Sequence, residues 1–126
     1  MKKLAFVLGL ITGLSTPVSA ESWQFVTANQ QQTTKYYLDN DSIKFAPNDV
    51  VYFWTLRINE MPQRGVKAVK GYHSMSCPGR VWRTRKLVDF GSNGKVVAQF
   101  NMGDKGILAR VDPDTIAGEY WKTLCR

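Results

Sequence analysis

The chain has 126 residues, with 17 basic against 10 acidic side chains, a net charge of +7, one histidine and two cysteines. That length suits one domain around one core, and the positive balance suits anionic partners such as glycans, lipopolysaccharide or acidic protein patches. One histidine rules out a two-histidine mechanism, and two cysteines far apart in sequence lack the second histidine or neighbouring thiol of a zinc site.

Residues 1–20, "MKKLAFVLGLITGLSTPVSA", read as a secretory signal peptide: a Lys2-Lys3 start, an apolar run, and a small-residue end at Val18-Ser19-Ala20. Gly13, Ser15 and Pro17 cut the apolar run short of the roughly 20 residues that a membrane span requires. Removing this segment takes Lys2 and Lys3 with it, so the domain expected over residues 21–126 carries +5. Export argues against a nucleic-acid partner. No cysteine stands at the cleavage point to take a lipid, so a soluble exported protein is expected, in the periplasm or at the cell surface, with any outer-membrane association made without a lipid anchor. An even cysteine count in an oxidising compartment reads as a disulfide, Cys77 to Cys125.

The period along the exported part is two. Strands are predicted in "SWQFVTA", in "TKYYLDNDSIKFA" with a turn or bulge near Asp39 to Asp41, in "VVYFWTLRIN", "GVKAVKGYHSMSC", "RVWRTRKLVDF" and "KVVAQFNM". In the third of these Val50, Tyr52, Trp54, Leu56 and Ile58 alternate with Val51, Phe53, Thr55 and Arg57, as in a central strand. Turns are predicted at Pro47-Asn48-Asp49, Pro62 to Gly65, Pro78-Gly79 and Gly91 to Gly94, with Gly94 in the left-handed position. Only the end reads as helix, with Asp112 as N-cap, Pro113 in the first turn, and two stripes, Ile116-Tyr120-Leu124 and Ala117-Trp121-Cys125. A helix with Cys125 on its buried stripe must lie on the strand carrying Cys77. The fold class is therefore α+β: a single antiparallel sheet of about six strands with one C-terminal helix stapled to it by the disulfide.

A Pro78-Gly79 connection would pair Cys77 with Arg80, Met75 with Trp82 and His73 with Thr84. The helix-covered face would then hold Val69, Gly71, His73, Met75, Cys77, Trp82, Val88 and Phe90. Lys70, Tyr72, Ser74, Ser76, Arg83 and Arg85 would take the other face. Lys86 is a misfit here, because alternation puts it on the covered side. His73 alternates with core residues and reads as structural, and Glu60 and Glu119 stand apart, so no catalytic constellation, metal site or cofactor site is expected.

Four cations fall within seven residues, Arg80, Arg83, Arg85 and Lys86. One reading is a solvated strand face that guards the sheet edge with charge. The other is a binding surface made with Lys70 and Tyr72, since arginine and aromatic side chains are enriched where proteins recognise partners, and guanidinium forks suit carboxylate or sulfate groups.

"YYLDNDSIKF", "VVYFWTLRINE", the run "CPGRVWRTRKLVDFGSNGKVV" opened by Cys77, and the ending "PDTIAGEYWKTLC" together resemble the surface-adhesin protein E family of Gram-negative bacteria. The resemblance spans nearly all of residues 21–126. It implies a small antiparallel sheet, a C-terminal helix, one disulfide, and an adhesin that binds a host extracellular-matrix protein; the anionic glycan is a partner that the basic charge and the guanidinium forks suggest. The competing function is a periplasmic inhibitor or chaperone-like module of the kind that blocks lysozymes. A charge of +5 would oppose encounter with a basic enzyme of that sort.

Overall fold

In "VVYFWTLRINEMPQ" the alternate side chains Val51, Phe53 and Thr55 are buried, and this segment is the middle of the sheet, strand β4 (Val50–Gln63). The computed structural model describes residues 21–125, so the signal-peptide reading of residues 1–20 lies outside the described residues. The other strands are β1 (Trp23–Ala28), β2 (Thr34–Asp39), β3 (Lys44–Ala46), β5 (Val66–Ser76), β6 (Val81–Phe90), β7 (Val96–Asn101) and β8 (Ile107–Arg110). They form one sheet in the order β1-β2-β4-β5-β6-β7, with β3 beside β4 and β8 beside β6. Every pairing is antiparallel. The expected main path of six strands is therefore present, with two short strands added.

Each added strand continues an interrupted neighbour. β2 pairs with Thr55 to Asn59 of β4, and β3 takes over at Val50 to Tyr52 after a 3-10 turn, Asn40–Ser42. The turn is where the sequence places one, near Asp39 to Asp41. Asp39 accepts from the amides of Ser22 and Asp41, and the Ser42 hydroxyl accepts from Trp54 N at 2.8 Å, filling the gap in the ladder. Across the sheet, β7 pairs with Lys86 to Phe90 and β8 with Val81 to Thr84, separated by the excursion 102–106. β8 is absent from the sequence reading. Its four residues are all exposed, so they carry no alternation of buried and exposed positions.

Helix α1 (Ile116–Leu124) lies on one face of the sheet. The expected stripes meet the core: Tyr120 and Leu124 are buried with Leu38, Val51, Phe53, Met75 and Val111, and Ile116, Ala117, Trp121 and Cys125 pack around them. The Tyr120 ring stacks on Phe53 at 6.2 Å, and its hydroxyl donates to Tyr37 O at 2.8 Å. Trp121 Nε1 donates to Cys77 O at 3.0 Å, beside the Cys77–Cys125 disulfide that joins the helix end to the end of β5.

The N-cap differs from the expectation. Thr115 takes the place assigned to Asp112, its hydroxyl accepting from Gly118 N at 3.1 Å, while Asp112 O accepts from Thr115 in a preceding turn. Gly118 is the reason. A Cβ there would collide with the carbonyls of Asp112 and Pro113, so the turn is folded tightly over the first helical residues instead of forming the helix start.

The β5–β6 pairs Met75 with Trp82 and His73 with Thr84 match the expectation, but the ladder closes at Ser76 and Val81. Cys77 to Arg80 form the connection, with Arg80, not a glycine, at positive φ. The β6–β7 turn has Gly94 at φ 80°, as its sequence predicts.

Candidate functional site

The face of the sheet away from α1 has no second layer over it among the described residues. β4 sends Val50, Tyr52, Trp54, Leu56 and Ile58 to it, and β5 sends Lys70, Tyr72, Ser74 and Ser76. On β6 simple alternation fails. Lys86 pairs with Tyr72 while Thr84 pairs with His73, so Arg85 is an extra residue, a β-bulge. The bulge resolves the Lys86 misfit: Arg85 and Lys86 both oppose Tyr72, and Lys86 moves to the open face. It also corrects the assignment beyond it. Leu87, not Val88, now opposes Gly71 on the covered side, while Val88 and Phe90 oppose Lys70 and Ala68 on the open side.

Lys70, Tyr72, Arg83, Arg85 and Lys86 thus share one face. Arg80 does not join them, because it lies in the β5–β6 connection with its guanidinium 4.4 Å from the Trp121 ring centroid, beside the helix. The face also contains rings that the sequence reading left unassigned. Tyr72 packs between Trp54 at 5.1 Å and Tyr52 at 6.2 Å, and Arg85 lies 5.3 Å from the Tyr52 centroid. Lys70 sits 5.8 Å from Trp23 and 5.6 Å from Phe90, and pairs with Glu21 at 2.7 Å. The cross-strand match of Tyr52 and Trp54 with Tyr72 is a signal that strand pairing, once placed, would have revealed.

Beside Tyr52 and Arg85, toward β8, lies a shallow depression of about 450 Å³, lined by Tyr52, Ser74, Val81, Arg83, Arg85 and Leu108, among others. Arg85 Nε donates to Ser74 Oγ at 3.1 Å and Nη1 to Asp104 O at 2.7 Å, while Arg83 Nη1 donates to Lys105 O. The two arginines therefore grip the 102–106 excursion as well as lining the depression. Among the described residues, neither they nor Lys86 pairs with a carboxylate. A guanidinium has five N–H donors in a fork, and part of each set is left for an anionic group in the depression.

His73 lies on the other face and is 5% exposed. Nε2 is 2.9 Å from Thr55 Oγ1 and Nδ1 is 3.1 Å from Thr84 Oγ1, which also accepts from Trp82 Nε1 at 3.0 Å. Both ring nitrogens are satisfied if Thr84 donates to Nδ1 and Nε2–H donates to Thr55. The ring lies across Gly71, where a Cβ would stand 2.5 Å from Nε2. Burial lowers the His73 pKa to about 3. The folded chain refuses a proton that the unfolded chain accepts below its ordinary value of 6.5, so stability falls as pH drops from there toward 3, by about 1.4 kcal/mol per pH unit. Asp39, whose carboxyl is raised by burial, acts with the opposite sign. The contribution of His73 is therefore the difference between wild type and His73→Gln in urea unfolding at a series of pH values. The variant should lose most of the dependence between pH 6 and 4, and an unchanged slope would contradict the account.

A model of the surface-adhesin protein E family matches residues 23–126. The chain belongs to that family. No curated protein gives a significant match. Among solved structures, the chain is similar to Haemophilus influenzae protein E with a TM-score of 0.59 at 15% identity, over 89% of this chain and 90% of that one. A second crystal form of that protein gives a TM-score of 0.58 at 15% identity, over 89% and 94%. At that identity the likeness concerns the fold: protein E and this chain share the sheet-and-helix arrangement. Family membership makes the chain an adhesin-like surface binding protein.

Proposed function

We propose that this member of the family is an exported, non-catalytic binding protein whose open sheet face contacts an acidic partner, either a host extracellular-matrix protein or an anionic glycan. The observation that carries the reading is the gathering of Lys70, Tyr72, Arg83, Arg85 and Lys86 on one face, the last of them brought there by the bulge, among Tyr52 and Trp54. A face of that composition suits recognition better than a solvated edge, because Lys70 and Arg85 lie over rings and Arg83 and Arg85 line a depression instead of standing alone in water. Family membership supports adhesion, and the buried, fully bonded His73 supports a structural role for the one histidine.

Binding to immobilised heparin and to laminin, measured at low and high salt, tests the proposal. Attraction at exposed cations is screened, so affinity should fall with salt. Lys86→Gln, which touches no loop carbonyl, should weaken binding a few-fold at unchanged melting temperature. Arg83→Gln with Arg85→Gln should weaken it about tenfold or more, with a modest drop in melting temperature as the 102–106 excursion is released. Equal binding by wild type and both variants would leave the cluster as a solvated strand face.

A further inference from the structure

We infer that the depression beside Tyr52 is a binding site for a small amphipathic anion, a carboxylate carried on a short alkyl body. Its shape follows from the strand register. Ser74 and Ser76 are the small side chains at this end of β5, and each stands between larger ones. Ser76 lies between Val50 of β4 and Val81 of β6, and Ser74 between Tyr52 and Arg83, with Leu108 of β8 beyond Arg83. A trough therefore runs along β5 over a floor of serines, and its volume of about 450 Å³ is in the range of small-ligand pockets. The two floor positions are two residues apart on one strand, which sets the ends of the trough about 7 Å apart. One end has the aliphatic walls Val50 and Val81, and the other has the guanidinium groups of Arg83 and Arg85.

The cationic end is set in advance. Arg85 Nε is held on Ser74 Oγ at 3.1 Å and its Nη1 on Asp104 O at 2.7 Å, while Arg83 Nη1 is held on Lys105 O. With one or two of its five N–H groups fixed to the fold, each guanidinium loses little freedom when the others take a carboxylate. No carboxylate or amide side chain is among the lining residues, and the strand carbonyls beneath are paired in the ladders. The two serine hydroxyls already accept from Arg85 Nε and Gly79 N. A sugar brings hydroxyl donors and a peptide brings amide donors, which find few acceptors inside the trough, whereas an alkyl carboxylate brings none. A bare inorganic anion fits the arginines but leaves Val50 and Val81 without a partner. The site shares Arg83 and Arg85 with the proposed polyanion surface, but it uses neither Lys70 nor Lys86, and it stands whether or not a polyanion binds.

Titration of the ¹⁵N-labelled chain with hexanoate, acetate and 1-hexanol is the test, since the last two each keep one half of the ligand's chemistry. Hexanoate should bind with a dissociation constant in about the millimolar range and move the amides of Tyr52, Ser74, Ser76, Val81, Arg83 and Leu108. Acetate lacks four methylenes, each worth about fourfold when fully buried and about twofold when half-buried, so it should bind at least about tenfold more weakly. The uncharged 1-hexanol should bind at least about tenfold more weakly too, because it forfeits the charge-assisted hydrogen bonds. Val50→Thr with Val81→Thr keeps the shape of the walls and makes them polar, and it should weaken hexanoate about fivefold while leaving acetate unchanged. Heparin binding by that variant should equal wild type. The two readings therefore fail on separate ligands: a wild type that ignores heparin counts against the polyanion surface, and the hexanoate results bear on the trough. No saturable binding of hexanoate, acetate or 1-hexanol binding as tightly as hexanoate, a double variant that takes hexanoate like wild type, or shifts centred outside the trough would each overturn the inference.

Discussion

Replacing Cys77 and Cys125 together with serine should lower the free energy of unfolding by about 4 kcal/mol, the loop-closure entropy of a bridge spanning 48 residues. That is a large share of the total for a domain this small. The staple also holds an element that has little stability of its own: α1 has nine residues, fewer than an isolated helix needs in water. Its stability comes from Tyr120 and Leu124 against the sheet and from the bond at its last turn. In urea, with an m-value of about 1–1.5 kcal/mol/M, the midpoint should fall by about 3 M. A change of less than about 1 kcal/mol would mean that packing alone holds the helix in place.

Phe53→Ala should cost about 3–5 kcal/mol. Phe53 is fully buried, with its ring 5.3 Å from Trp82, 5.6 Å from His73 and 6.2 Å from Tyr120. It therefore joins β4, β5, β6 and α1 at one point, and the stacked side chains around it cannot collapse into the space it leaves. Phe45→Ala is the matched control, because Phe45 is 71% exposed on β3 and its loss should stay within about 0.5 kcal/mol. Equal costs for the two, measured by denaturant unfolding, would contradict the assignment of the core to this face of β4.

Much of this fold is written locally. Alternation in β4 and β5, the turn chemistry at Asp39 to Asp41 and at Gly94, the stripes of α1 and the pair of cysteines each act over a few residues, and each predicted feature is present. What alternation could not supply was the exception to alternation. The bulge at Arg85 inverts the facing of every later residue in β6. It leaves no mark in composition, because arginine followed by lysine is as ordinary in a regular strand as in a bulge. The cap at Thr115 depends on Gly118 meeting the carbonyls of Asp112 and Pro113, a contact across a turn that neither residue announces alone.

Which face of β4 the helix covers was equally hidden. Tyr52, Trp54, Leu56 and Ile58 form the more apolar row, yet it is Val51, Phe53 and Thr55 that are buried. The row that looks like core is the open face, where its rings partner Tyr72 and Arg85. For the binding site, the cationic residues were legible one by one. Their assembly was not, because Arg80 leaves the group at a positive-φ turn and Lys86 enters it only through the bulge.

The central claim is that the open sheet face contacts the partner, and the most direct measurement is a titration of the ¹⁵N-labelled protein with a heparin oligosaccharide, followed by amide and side-chain shifts. The account predicts that the largest changes fall on Tyr52, Trp54, Lys70, Tyr72, Ser74, Arg83, Arg85 and Lys86, and that α1 and the Cys77 to Arg80 connection stay still. Changes centred on Arg80 and Trp121, or confined to the helix side of the sheet, would contradict it.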